Sequence, residues 1–167
     1  TITNAGAVTI PSAATMTLDG AFLQDGAGAV SLAADITTTN DGIQFDGAVT
    51  LTGSVVLSTG AGGGDIAFTS TLDGQTAGAQ AATLTAGGDN TSTTFSGVIS
   101  ETGAVTKTGT GTLTLSGVNT YTGLTTVSAG TLSVTNAAGL GTTAGGTTVA
   151  SGATLDINGV TVGAEAL

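Results

Sequence analysis

The stretch "GTGTLTLSGVNTYTGLTTVSAGTL", Gly109 to Leu132, places apolar side chains at alternating positions and fills most of the rest with Gly, Thr and Ser. A period of two sends alternate residues to opposite faces of a strand, so Leu113 and Leu115 are expected inward and the threonines between them outward. The same frame recurs in "AVTLTG" (Val49, Leu51), "GTLSVTN" (Leu132, Val134) and "ATLDING" (Leu155, Ile157). Turn signals lie between such pieces at Asp19-Gly20, Asp25-Gly26, Asp41-Gly42, Asp46-Gly47, Asp73-Gly74 and Asn158-Gly159. Gly and Asn tolerate positive φ there, and Asp closes turns through its side chain. No segment sustains apolar residues at i, i+3, i+4 and i+7, and Gly, Thr and Ser would weaken a helix at nearly every turn.

Repetition then selects the architecture. Phe22, Phe45, Phe68 and Phe95 are separated by 23, 23 and 27 residues, and Leu113, Leu132 and Leu155 by 19 and 23. Short strands repeating at roughly 20–25 residues without helices point to a β-solenoid, whose turns bury their faces by stacking. The sequence predicts an all-β parallel β-helix of about seven to eight rungs, a rod about 35 Å long at the usual strand spacing. Phe22, Phe45 and Phe68 are expected at equivalent interior positions on consecutive rungs. Phe95 should extend the stack less regularly, because four extra residues must bulge out before it. A β-sandwich, with strands at similar intervals, is the rival fold.

Composition excludes much chemistry. The 167 residues include no His and no Cys, Lys107 is the single basic residue, and eleven acids leave a net charge of −10. A serine triad lacks its imidazole, a thiol nucleophile is absent, and zinc or copper would lack their usual ligands. One lysine cannot neutralise several phosphates, which disfavours nucleic acid as a partner. Thr, Gly or Ser interrupts every apolar run before membrane-spanning length, so no membrane insertion is expected.

Residues Gly109, Gly111, Leu113, Leu115, Gly117, Asn119, Tyr121, Gly123, Thr125, Val127, Gly130 and Leu132 carry the pattern G-x-G-x-L-x-L-x-G-x-N-x-Y-x-G-x-T-x-V-x-x-G-x-L. This pattern resembles the autotransporter passenger-associated β-strand repeat, and the likeness runs from about residue 100 to 162. Residues 1–99 resemble the Gly/Thr-rich repeats of large bacterial surface adhesins, with "FDGAVTLTGSVVLSTGAGGGDIAF" as the nearest piece. One solenoid over 1–167 is therefore expected, with adhesin-like rungs over 1–99 and autotransporter-type rungs over 100–167. The resemblance implies a right-handed parallel β-helix on the bacterial cell surface, a non-catalytic stalk or adhesive segment of an exported protein. The family's outer-membrane barrel has no counterpart in "TVGAEAL", which implies a passenger fragment or a processed product.

No catalytic, cofactor-binding or metal-ligating residue is assigned, and no cofactor is expected. "GAGGGDIAF", Gly60 to Phe68, resembles a calcium-binding nonapeptide repeat, but Ala61 and Ala67 break its frame and no second copy follows. It reads as a Gly-rich corner in which Asp65 accepts backbone hydrogen bonds. Asp19, Asp41 and Asp65 could align as the carboxylates of a polysaccharide-active β-helix enzyme, but only Lys107 is available to support them, so they read as solvated turn acids. Lys107 itself reads as a strand end, and the glycosylation triplet Asn90-Thr91-Ser92 receives no role. Tyr121 and Asn119 read as an aromatic packed on the next rung beside a turn-closing amide, rather than as a sugar platform. Neither terminus carries an obvious cap, so the expected partners are further covalent rungs or identical subunits stacked end to end in a filament.

Overall fold

The computed structural model describes residues 5–12, 15–76, 79–85, 97–100 and 103–167 in full, and the backbone of 93–95. Every regular element among them is a short strand, and the strands form three sheets. The first contains β1 (Val8–Ile10), β4 (Val30–Leu32), β7 (Val49–Leu51), β10 (Leu72–Gly74) and β13 (Ile99–Ser100), in that order. In the second lie β2 (Met16–Leu18), β5 (Ile36–Thr38), β8 (Val55–Ser58), β11 (Ala82–Thr85), β14 (Val105–Thr108), β16 (Thr125–Val127) and β18 (Thr147–Val149). The third holds β3 (Phe22–Gln24), β6 (Ile43–Phe45), β9 (Ile66–Phe68), β12 (Thr93–Phe95), β15 (Thr112–Leu115), β17 (Thr131–Val134) and β19 (Thr154–Asp156).

Every pairing is parallel, and consecutive strands belong to different sheets, so each strand pairs with the one a full turn away. That is a β-solenoid, and it rules out the antiparallel sandwich. It has about six turns rather than seven to eight. One turn is longer than a uniform repeat allows: Leu72 lies opposite Ile99, and Val55 opposite Ala82. The extra length falls between β10 and β11.

Alternation within the strands builds the interior. Val30, Val49, Leu72 and Ile99 form one buried column, and Leu113 and Leu132 lie in register in another, with Leu155 half-buried above them. Each such side chain contributes roughly 1.5–3 kcal/mol when fully buried. The fourth strand expected from the sequence ends early, at Asp156. Asp156 Oδ1 accepts from the Asn158 backbone N–H, which turns the chain and leaves Ile157 exposed.

The phenylalanine stack differs from expectation in one respect. Phe22, Phe45 and Phe68 are all buried, with ring centroids 5.1 and 5.0 Å apart. Phe45 and Phe68 are in register, and the backbone of Phe95 continues the column. Phe22, however, lies opposite Ile43, while Phe45 lies opposite Gln24. The turn from β3 to β6 is two residues shorter than the 23-residue spacing suggests, so Phe22 reaches Phe45 diagonally. The turn from β6 to β9 is longer because it carries the Gly-rich corner.

The Asp-Gly signals mark corners except for Asp73-Gly74, which lies within β10. Positive φ is not their common reason: of these pairs, only Asn158 and Gly159 adopt it. A Cβ on Gly47 would overlap the Gly28 carbonyl, so glycine there permits close stacking of successive corners.

Phe45 is the middle ring of the stack. Phe45→Ala is expected to cost about 3–5 kcal/mol, read as a lowered denaturation midpoint in chemical unfolding.

Candidate functional site

The first sheet ends at β13, and from there the coil is built differently. Above Ile99 the third wall is irregular backbone held by Asn119, which satisfies polar groups on three successive levels. Its Oδ1 accepts from the Ile99 N–H at 2.9 Å, and its own N–H donates to the Ala138 carbonyl at 3.1 Å. Its Nδ2 donates to the Gly139 carbonyl at 2.6 Å. Thr120 N–H donates to the Ile99 carbonyl, so the chain beside the amide still adds to the ladder. Asn119 is buried, and an apolar residue there would strand these backbone groups.

Tyr121 is fully buried two residues on. Its hydroxyl lies 2.6 Å from Thr125 Oγ1, and its ring lies directly under Gly141, where φ is 76° and an added Cβ would meet the ring at 3.0 Å. Burial, opposed by the Thr125 hydrogen bond and reinforced by the negative charge of Glu165, pushes its pKa up to about 12. Glu165 also accepts from Thr147 Oγ1 at 2.9 Å, and Thr147 stacks on Thr125 in register. A polar track of Tyr121, Thr125, Thr147 and Glu165 therefore replaces apolar side chains in the upper coils.

Lys107 departs from its sequence reading as a strand end. It sits within β14 on the inward face, in register between Leu84 and Val127, and is only 1% exposed. Val105 and Lys107 share the alternation, so the pattern that places Val105 inside also carries the lysine there. Its Nζ donates to the carbonyls of Thr108, Gly109 (2.8 Å) and Ala129 (3.5 Å). Gly109 and Gly130 have positive φ at this corner. Burial lowers the lysine pKa to about 8.

The acids gather no comparable structure. Among the described residues, no group of three Asp or Glu side chains is placed to hold a metal ion. At the Gly-rich corner, the Asp65 carbonyl accepts from Ile43 N–H at 2.7 Å, but the side-chain acceptor is Asn40, whose Oδ1 takes the Gly62 N–H at 2.7 Å. Asn40 has φ 66°, and Asn preceding Asp-Gly was the available signal for it. Asp41 accepts through its carbonyl from Thr38. Gln24 was also missed: it is buried, and its Oε1 takes the N–H groups of Asp46 and Gly47 at 3.1 and 2.8 Å. Its place two residues after Phe22 in the alternation marked it as inward. Asn90-Thr91-Ser92 lies outside the described residues.

These features define a parallel β-solenoid whose upper coils are closed by a buried Asn-Tyr corner. Residues 105–134, which contain Lys107, Asn119 and Tyr121, match the passenger-associated-transport-repeat, and together with the solenoid they fit an autotransporter passenger β-repeat. No curated protein and no solved structure matches the chain.

Two predictions follow from this corner. A Cβ on Gly123 would coincide with the Gly103 carbonyl oxygen, whereas one on Gly20 meets nothing within 4 Å. Thermal melts should show Gly123→Ala destabilised by about 3 kcal/mol or more and Gly20→Ala changed by no more than about 0.5 kcal/mol.

The second concerns pH. The unfolded chain holds the Lys107 proton up to 10.5, while the folded chain releases it near 8. Stability therefore rises with pH across that window. Tyr121 acts oppositely, because the unfolded phenol ionises near 10.0 and the folded one near 12, so stability falls above pH 10. Melting temperatures should peak near pH 10. Lys107→Met should flatten the rising limb, and Tyr121→Phe the falling one.

Proposed function

We propose that this chain is a non-catalytic structural segment of an exported bacterial surface protein, serving as a stalk that projects or presents an adhesive surface. The observation that carries the reading is the passenger-associated-transport-repeat at residues 105–134, seated within a continuous β-solenoid. Parallel rungs place successive turns at about 4.8 Å intervals, so a solenoid gains length in proportion to its residues and resists bending through its ladders. The outward faces are rich in Thr and Ser, and the interior is filled by side chains. That arrangement supports a rod with a wide contact surface better than an enzyme with a cleft.

A second reading, identical subunits stacked end to end, rests on β18 and β19. Each pairs with a strand on one side only among the described residues; over β18 the Ala166 carbonyl takes the Thr147 N–H at 2.7 Å, and the remaining backbone groups of the two edges are ones a further rung could join. Sedimentation over a wide concentration range separates the readings: a filament subunit lengthens with concentration, and a stalk segment does not.

The stalk reading is tested in cells producing the parent protein, with an antibody raised against residues 1–167. Intact, unpermeabilised bacteria should be labelled, and external protease should remove the label. Labelling only after permeabilisation would overturn the proposal.

A further inference from the structure

Outward hydroxyls line parts of all three sheets, such as Thr9, Ser31 and Thr50 in the first and Thr112, Thr131 and Thr154 in the third, but the second sheet carries the longest unbroken run of threonine. Thr83, Thr106, Thr126 and Thr148 follow one another in register across β11, β14, β16 and β18. Two residues along each strand runs a parallel rank, Thr17, Thr37, Ser58, Thr85 and Thr108, from β2 to β14. Val56 is the one apolar interruption, at the foot of the first rank. The only charged residue on any strand of this sheet is Lys107, which points inward. The first sheet, in contrast, carries Asp73, bonded to Ser100 Oγ, and the third ends on Asp156. In a chain of net charge −10, the rank from Thr83 to Thr148 carries no charged side chain; Asp35, which precedes β5, accepts from the Val56 N–H at 2.8 Å, at the foot of the first rank.

The two ranks are not equivalent. Thr85 and Thr108 bond to each other at 2.6 Å, so part of the second rank is satisfied internally. The hydroxyls of Thr83, Thr106, Thr126 and Thr148 have no protein partner among the described residues, and all four side chains reach solvent. Their spacing is fixed by the backbone ladder at about 4.7–4.9 Å. In tetrahedrally bonded water, an O–H···O length of about 2.7–2.8 Å puts second-neighbour oxygens about 4.5 Å apart. Over the four threonines the mismatch accumulates to only about 1 Å, a displacement that hydroxyl rotation can absorb.

Threonine suits such a surface. It is β-branched and stiff at χ1, so little freedom remains to be lost when its hydroxyl enters a fixed lattice. Its methyl group excludes disordered water between hydroxyls. A charged side chain would hold a tight radial shell that no crystalline arrangement of water accommodates; Asp35 lies below Val56 at the foot of the face, and the four threonines above it have no charged neighbour in their rank.

We propose that the threonine face of the second sheet binds ordered water and, through it, the surface of ice. The partner is crystalline water, recognised by a repeat of hydroxyl groups at its second-neighbour spacing, and the inference is independent of where the protein resides.

The test uses the 167-residue chain itself in a nanolitre osmometer, following the gap between melting and freezing and the shape of a single ice crystal. The wild type should facet the crystal and open a gap. Thr106→Tyr and Thr126→Tyr raise a bulky ring above the rank and should abolish both effects. Thr114→Tyr, the same change on the outward face of β15, should leave them intact. Circular dichroism checks that each variant is folded, and Thr148→Lys, on the edge strand, carries the test if the central variants unfold. A wild-type protein that neither shapes ice nor delays freezing overturns the proposal, as does a Thr114→Tyr variant that loses as much as Thr106→Tyr.

Discussion

The governing constraint is that each turn of backbone lies one strand spacing above the last, with residues directly over their registered partners. At about 4.8 Å there is no room for a side chain between rungs, so every side chain points in or out and must tolerate its neighbour above and below. Inward columns therefore become continuous apolar stacks, such as Val30, Val49, Leu72 and Ile99. Corners become places where backbone meets backbone, and there glycine is needed even at ordinary φ. Gly103, Gly123 and Gly145 are successive members of one such corner, each of the latter two abutting the glycine carbonyl beneath it.

The same constraint explains the buried polar residues. Ladder hydrogen bonds satisfy the strands, but backbone groups at corners have no guaranteed partner, and leaving one unmade costs roughly 1–3 kcal/mol. Gln24 supplies an acceptor to the N–H groups of Asp46 and Gly47, and Asn119 serves Ile99 and Gly139. Lys107 does the converse, donating to inward carbonyls at the corner with Gly109. A buried ammonium without a carboxylate is tolerable because carbonyl dipoles replace part of its water. The depressed lysine pKa records the remainder of that cost.

The fold was legible because its signal is a repeated local pattern. Strand positions at Val49, Leu113 and Leu132, and the column through Leu113, Leu132 and Leu155, come directly from period-2 alternation and rung-length spacing. Register was less legible, since it depends on loop lengths that vary from turn to turn. The equal 23-residue spacings of Phe22, Phe45 and Phe68 conceal one short and one full turn, and only three-dimensional pairing separates them. Lys107 was misread for a related reason. It read as a strand end, whereas the alternation beginning at Val105 carries it into the strand's inward face, and flipping one residue would break the ladder on both sides. The Asn119 and Tyr121 corner was legible in kind, through its spacing and residue types. Its partners Ile99, Gly139 and Glu165 lie on other turns and left no mark in the local sequence.

A solenoid also separates the requirements placed on its two surfaces, and this bears on what kind of function it can carry. Enzymes need groups from distant parts of the chain to converge on one point, which a rod with a side-chain-filled interior provides only where loops rise over a face. Here the described acids sit mostly at corners and on separate turns, and the titratable groups with displaced pKa values, Lys107 and Tyr121, are enclosed and committed to structural partners. Outward positions are subject to a different rule. They face solvent in rows whose spacing is set by the backbone, so a preference for one residue type becomes a ruled surface. In the second sheet that residue is threonine, favoured on strands because a β-branched side chain packs well on a pleated face. Periodic recognition, by a flat or repeating partner, is thus the form of function this architecture reaches with the fewest changes to its interior.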